Sequence, residues 1–117
     1  MKIEDIYHFF ENPPPIYLTQ EEAVCYILSV LLRGESYGTE LMQQLEREYP
    51  DHRLSDTVLY SALKFLEEEE AVNSYWKRVA GRGRARRMYQ LRQQWQSEAQ
   101  KLAHLWQTST AVQKNQN

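Results

Sequence analysis

Ser55-Asp56-Thr57-Val58-Leu59-Tyr60-Ser61-Ala62-Leu63-Lys64-Phe65-Leu66-Glu67 is followed, after four intervening residues, by Val72-Asn73-Ser74-Tyr75-Trp76-Lys77-Arg78-Val79. The change of period between the two stretches decides the fold. In the first, Leu59, Ala62, Leu63 and Leu66 recur at helical spacing and define an inward face. Ser55 is placed to cap this helix, with Leu54 and Leu59 at the spacing of a hydrophobic staple. The second stretch is β-branched and aromatic. A glycine-punctuated turn, Ala80-Gly81-Arg82-Gly83-Arg84-Ala85, and a second extended run, Arg87-Met88-Tyr89-Gln90-Leu91, complete a β-hairpin with a basic tip.

Upstream, two more helices are expected. Thr19 and Glu22 have capping-box spacing, and Val24, Ile27, Leu28 and Leu31 form a stripe that stops at Gly34, a natural left-handed cap. A helix from Tyr37 to Tyr49, with Ser36 as N-cap, turns Leu41, Met42 and Leu45 inward before Pro50. Downstream, Trp95, Ala99, Leu102 and Trp106 fall on one stripe of a last helix. At the start of the chain, Ile3, Ile6, Tyr7 and Phe10 mark a short amphipathic helix, cut off by Asn12-Pro13-Pro14-Pro15. The expected organisation is an arm helix and connector over 1–15, a body over 16–91, a C-terminal helix over 92–108 and a polar, frayed tail over 109–117.

The 117 residues carry a net charge of only −2, but the charges are segregated. Lys77, Arg78, Arg82, Arg84, Arg86, Arg87 and Arg92 are seven of the fourteen basic residues, and no acid lies between Glu70 and Glu98. Such asymmetry points to a local anionic partner, with contact confined to one edge. Glu67 to Glu70 read as a solvated helix end, unfavourably placed against the helix dipole.

The fold class expected is mainly α with a β-hairpin: a winged helix-turn-helix, extended by the arm helix and a C-terminal dimerisation helix. In that arrangement the third body helix enters the major groove of double-stranded DNA and the hairpin follows the backbone. Thr57, Tyr60, Ser61 and Lys64, on an acid-free face of that helix, are the candidates for reading bases. Lys77, Arg78, Arg82, Arg84, Arg86 and Arg87 are the candidates for gripping phosphate, because guanidinium groups donate in bidentate pairs to phosphate oxygens.

Tyr37-Gly38-Thr39-Glu40-Leu41, the stretch Asp56 to Glu67 and the wing Gly81 to Leu91 together resemble the PadR-type transcriptional regulators, in family order from about Ala23 to Leu91. The family wing usually carries a glycine-proline-arginine-lysine-tyrosine run; here Arg84-Ala85-Arg86-Arg87-Met88-Tyr89 has more arginine and no proline. The resemblance implies a non-enzymatic, dimeric DNA-binding regulator. The short C-terminal helix and aromatic arm resemble most a cyanobacterial, clock-linked branch, which implies a repressor acting on a clock-gene promoter.

The residues give their own reason to expect a homodimer. Ile3, Ile6, Tyr7, Phe10, Trp95, Ala99, Leu102 and Trp106 are too large or too aligned to be left in water, each large side chain being worth roughly 1.5–3 kcal/mol when buried. Two copies would place two recognition helices about one DNA turn apart, over a palindromic operator. Two alternatives stand beside this reading. One is a ligand-responsive regulator holding a planar molecule between Trp95 and Trp106. The other is a winged-helix module that docks an acidic protein.

No run approaches the ~18 apolar residues of a membrane span, and acids stand where a signal peptide would be basic and apolar. Cys25, the single cysteine, reads as a small core residue and suits a reducing, cytoplasmic setting. His8, His52 and His104 are too scattered for a metal motif, and neither a cofactor loop nor a catalytic triad is evident, so no cofactor, metal or enzymatic activity is expected.

Overall fold

Thr19 starts the body as its spacing to Glu22 predicts. Its Oγ1 accepts from the Glu22 amide at 3.1 Å, and the Glu22 carboxylate accepts from the Thr19 amide at 2.9 Å. The computed structural model describes residues 1–79 and 83–115. Along the chain these form α1 (Ile3–Glu11), β1 (Ile16–Tyr17), α2 (Gln20–Leu31), β2 (Ser36–Tyr37), α3 (Gly38–Glu48), β3 (His52–Arg53), α4 (Asp56–Glu68), β4 (Val72–Arg78), β5 (Ala85–Leu91), a 3-10 turn (Gln93–Trp95) and α5 (Gln96–Asn115).

Helix α2 is buried on most sides because α4 packs on one flank and α5 on another. Tyr26, fully buried, donates its hydroxyl to the Leu41 carbonyl at 2.8 Å and so ties α2 to α3. Burial, reinforced by Glu48, holds its phenol well above the ordinary range, which keeps that donor protonated. Ser55 Oγ accepts from the Val58 amide at 3.2 Å, so α4 begins where its cap predicts, and Leu54 and Leu59 are both buried. Strand β5 is the centre of a three-stranded antiparallel sheet, between β2 and β4. Its register with β4 runs from Val72 opposite Leu91 to Arg78 opposite Ala85. This is the winged helix-turn-helix expected, with α3 and α4 as the helix-turn-helix and β4–β5 as the wing.

Three local expectations are corrected, and one strand pair is added. Ser36 does not cap α3: it lies in β2 opposite Tyr89, fully buried, and its hydroxyl donates to Glu40 Oε1 at 2.6 Å. Gly34 takes φ 154°, not the left-handed cap value, and α2 closes instead through short bonds such as Arg33 N to Val30 O. The Pro-rich connector leads into β1, which pairs in parallel with β3 through Ile16 opposite His52 and Tyr17 opposite Arg53. The last helix does not end near Thr108; α5 continues to Asn115, and Thr110 is buried with its hydroxyl donating to the Trp106 carbonyl at 2.9 Å.

At the end of α4 the acids have a sharper role than a solvated terminus. Glu70 adopts φ 59°, with Ala71 N bonded to Leu66 O and Glu70 N to Glu67 O, which is a Schellman cap made without glycine. A side chain in this conformation carries strain, and its negative charge opposes the helix dipole. Glu70→Gly is therefore expected to stabilise the protein by about 1 kcal/mol, measured as a higher urea midpoint with an unchanged slope.

Candidate nucleic-acid interface

On α4, Leu59, Ala62, Leu63 and Leu66 are consumed by the core, Val58 and Glu67 are partly buried, and the other side chains are left to solvent. Thr57, Tyr60, Ser61 and Lys64 are all exposed on it. Lys64 meets Glu68 only at 4.0 Å, with its side chain 79% exposed. A pair this open is worth a few tenths of a kcal/mol at most, so the ammonium is free to leave it. Tyr60 is 54% exposed and leans toward the start of α3. A Cβ built at Gly38 would stand 2.8 Å from the Tyr60 hydroxyl, so glycine is what lets the phenol rest there.

The wing alternates, as strands must. Lys77 stands directly opposite Arg86, and Trp76 opposite Arg87. Arg86 places its guanidinium carbon 4.0 Å from the centre of the Tyr37 ring. Stacking uses the flat face of the guanidinium and leaves its in-plane N–H groups outward. Neither Lys77 nor Arg86 forms an ion pair among the described residues, although like charges facing each other across a ladder repel. Lys77, Arg78 and Arg84 are exposed. Arg82 lies outside the described residues.

Arg87 differs from its neighbours. Its Nη2 donates to Glu67 Oε2 at 3.1 Å and its Nε to Ser74 Oγ at 3.1 Å. Sequence reasoning treated Arg87 as a phosphate ligand and Glu67 as solvated; the structure joins them. Tyr37 was missed as a site residue as well, although its tyrosine-glycine pair was already conspicuous. Between α3, α4 and the wing lies an open cleft of about 600 Å³, lined by Tyr37, Thr39, Tyr60, Trp76, Arg84 and Arg86 among others. Its walls combine aromatic faces with cations, which suits an anionic ligand.

The residues expected at a dimer interface divide in two. Ala99 and Trp106 are spent inside the subunit. Trp106, 2% exposed, meets the rings of Tyr49, His52 and Tyr26 edge-on, with centroids 5.1, 5.7 and 5.8 Å away. The cause is that α5 lies along α2 and turns that stripe into its own core. A planar ligand between Trp95 and Trp106 thereby loses one of its walls. Trp95 and Leu102 are only partly buried at the edge of the same core. Helix α1 buries none of its residues, leaving Ile3, Ile6, Tyr7 and Phe10 exposed.

Cys25 is partly buried, and burial, with Glu22 beside it, raises its thiol above the ordinary value, away from a reactive thiolate. Among the described residues no cluster of histidine, cysteine and carboxylate groups could hold a metal ion. No helix among them is long and apolar enough to cross a membrane.

Comparison with known proteins agrees with this geometry. Residues 27–101 match the model of the transcriptional regulator PadR-like family. The circadian clock associated protein Pex from Anabaena is 67% identical, with a TM-score of 0.89 over 97% of this chain and 99% of that one. Pex from Synechococcus is 58% identical, with a TM-score of 0.90 over 94% and 98% of the two chains. A transcriptional regulator from Clostridium thermocellum, 23% identical with a TM-score of 0.65 over 82% of this chain and 93% of that one, shares the fold. No curated protein sequence matches the chain. With more than half its length in the family model and near-complete overlap with the two Pex structures, the chain belongs to the PadR-like family of transcriptional regulators, DNA-binding and not catalytic proteins closely related to cyanobacterial Pex.

Proposed function

We propose that the protein is a homodimeric, sequence-specific repressor that binds double-stranded DNA, with α4 in the major groove and the wing along the flanking backbone. The observation that carries this reading is the exposed face of α4 with Thr57, Tyr60, Ser61 and a loosely held Lys64, beside a wing whose Lys77 and Arg86 face each other with no ion pair among the described residues. A phosphate would relieve that repulsion while Tyr37 holds the Arg86 plane in place. Arg78, Arg82 and Arg84 extend the same grip, and Thr57, Tyr60, Ser61 and Lys64 meet base edges.

The exposed apolar face of α1, together with Trp95 and Leu102, supplies the dimer contact. A helix of nine residues with nothing buried is marginal alone and gains its stability from a partner. Two subunits so joined present two α4 helices to half-sites about 34 Å apart. The close relationship to a protein described as circadian clock associated supports a clock-gene promoter as the target. The test is a selection of fragments from the source genome against random duplex. The expected result is an enriched, two-fold symmetric site with half-sites about one helical turn apart. Failure to enrich any fragment, together with capture by an acidic protein that duplex DNA does not displace, would favour the protein-docking alternative.

A further inference from the structure

Arg87, Glu67 and Ser74 close a triangle between the wing and the end of α4. Arg87 Nη2 donates to Glu67 Oε2 at 3.1 Å and Oε1 at 3.5 Å, and Arg87 Nε donates to Ser74 Oγ at 3.1 Å. Ser74 Oγ donates in turn to Glu67 Oε2 at 3.3 Å. Trp76 and Tyr89 flank the guanidinium, each ring centre 5.8 Å from its central carbon. The pairing Ser74 with Tyr89 and Trp76 with Arg87 puts all four side chains on one face of the hairpin. Arg86 and Lys77 occupy the other.

We infer that Arg87 is a positioning residue and not a phosphate ligand: through Glu67 and Ser74 it locks the wing to α4. The geometry separates it from the neighbouring cations. Its Nε and Nη2 already have acceptors within the subunit, and both side chains of the ion pair are more sheltered than Lys64. Glu67 is the one acid of the Glu67–Glu70 run placed to bond the wing, and any phosphate drawn to Arg87 would approach that carboxylate. The lock has a functional consequence. The element that grips the backbone and the helix that reads bases are held at a fixed spacing, so that a wing seated on phosphate places α4 in register with the bases.

The inference rests on the DNA-binding reading above, and the experiment separates the two. Arg87→Ala, Glu67→Gln, the double variant, the charge exchange Glu67→Arg with Arg87→Glu, and Arg84→Ala are compared on one operator over a range of salt, with melting curves for each protein. The expected result is that Arg87→Ala weakens operator binding about three- to tenfold with the salt slope of the wild type, whereas Arg84→Ala reduces that slope by about 0.9. Glu67→Gln weakens binding to a similar extent, Arg87→Ala adds nothing in its background, and the charge exchange recovers affinity. A lower slope for Arg87→Ala, or tighter binding by Glu67→Gln, makes Arg87 a phosphate ligand and overturns the lock while leaving DNA binding intact. Absence of duplex binding by the wild type would overturn the DNA-binding reading and with it the lock's role in register; the lock itself then stands on non-additive melting temperatures in the Arg87/Glu67 cycle and is overturned by additive ones.

Discussion

Replacing Trp106 by alanine is expected to destabilise the protein by about 3–5 kcal/mol. The side chain is 2% exposed, encircled by Tyr26, Tyr49 and His52, and stands where α5 meets α2 and the β1–β3 pair. Its loss leaves a cavity at the point where three parts of the fold converge. At about 3–5 °C per kcal/mol for a chain of this size, the melting temperature should fall by more than about 10 °C. Trp106→Phe should cost much less, because the ring contacts partly survive and the indole Nε1 makes no hydrogen bond among the described residues. The comparison, made by urea titration at several protein concentrations, also tests whether Trp106 acts within the subunit or across an interface. A loss that vanishes when protein concentration is raised would indicate a subunit contact; a loss independent of concentration is what the packing implies.

The second large effect is expected from removing residues 1–12. The truncated chain should keep the fold of the body, since α1 buries nothing, but should sediment as a monomer. Its affinity for a two-half-site operator should drop by about 10²–10⁴, the usual gain from linking two binding modules, while its affinity for a single half-site stays near that of the full chain. Analytical ultracentrifugation and binding to one and two half-sites measure both. A truncated chain that remains dimeric would assign the interface to the Trp95 and Leu102 surface without α1.

How far the sequence speaks depends on the range over which its signals act. Helix α4 and the wing were legible because their periods, 3.6 and then 2, are local properties of consecutive residues. The Thr19 and Ser55 caps were legible for the same reason, since donor and acceptor lie three residues apart. The strands β1, β2 and β3 were not. Two residues cannot display an alternation, and each exists only through a partner more than thirty residues away. Ser36 looked like a cap because its pairing with Tyr89 is invisible locally.

The destination of Trp106 was illegible for a related reason. An apolar stripe announces that one face is buried; whether α2 of the same subunit or a second copy covers it is a tertiary matter. At the site, the exposed face of α4 could be found by subtracting the core positions. Arg87 and Glu67 could not be found as a pair, because they are separated by twenty residues and each has a plausible role alone.

The central claim is that the α4 face and the wing together bind duplex DNA, the wing supplying affinity and α4 selectivity. It is tested most directly by measuring equilibrium binding to the selected operator and to random duplex across salt, for the wild type, Arg84→Ala with Arg86→Ala, and Lys64→Ala with Thr57→Ala. The arginine pair should lose affinity for both duplexes in equal proportion, with the slope of log affinity against log salt reduced by up to about 1.8. The α4 pair should lose preference for the operator, about 1–3 kcal/mol per base contact, and bind random duplex nearly as before. Affinities that ignore salt, or an arginine pair that binds as tightly as the wild type, would contradict the account.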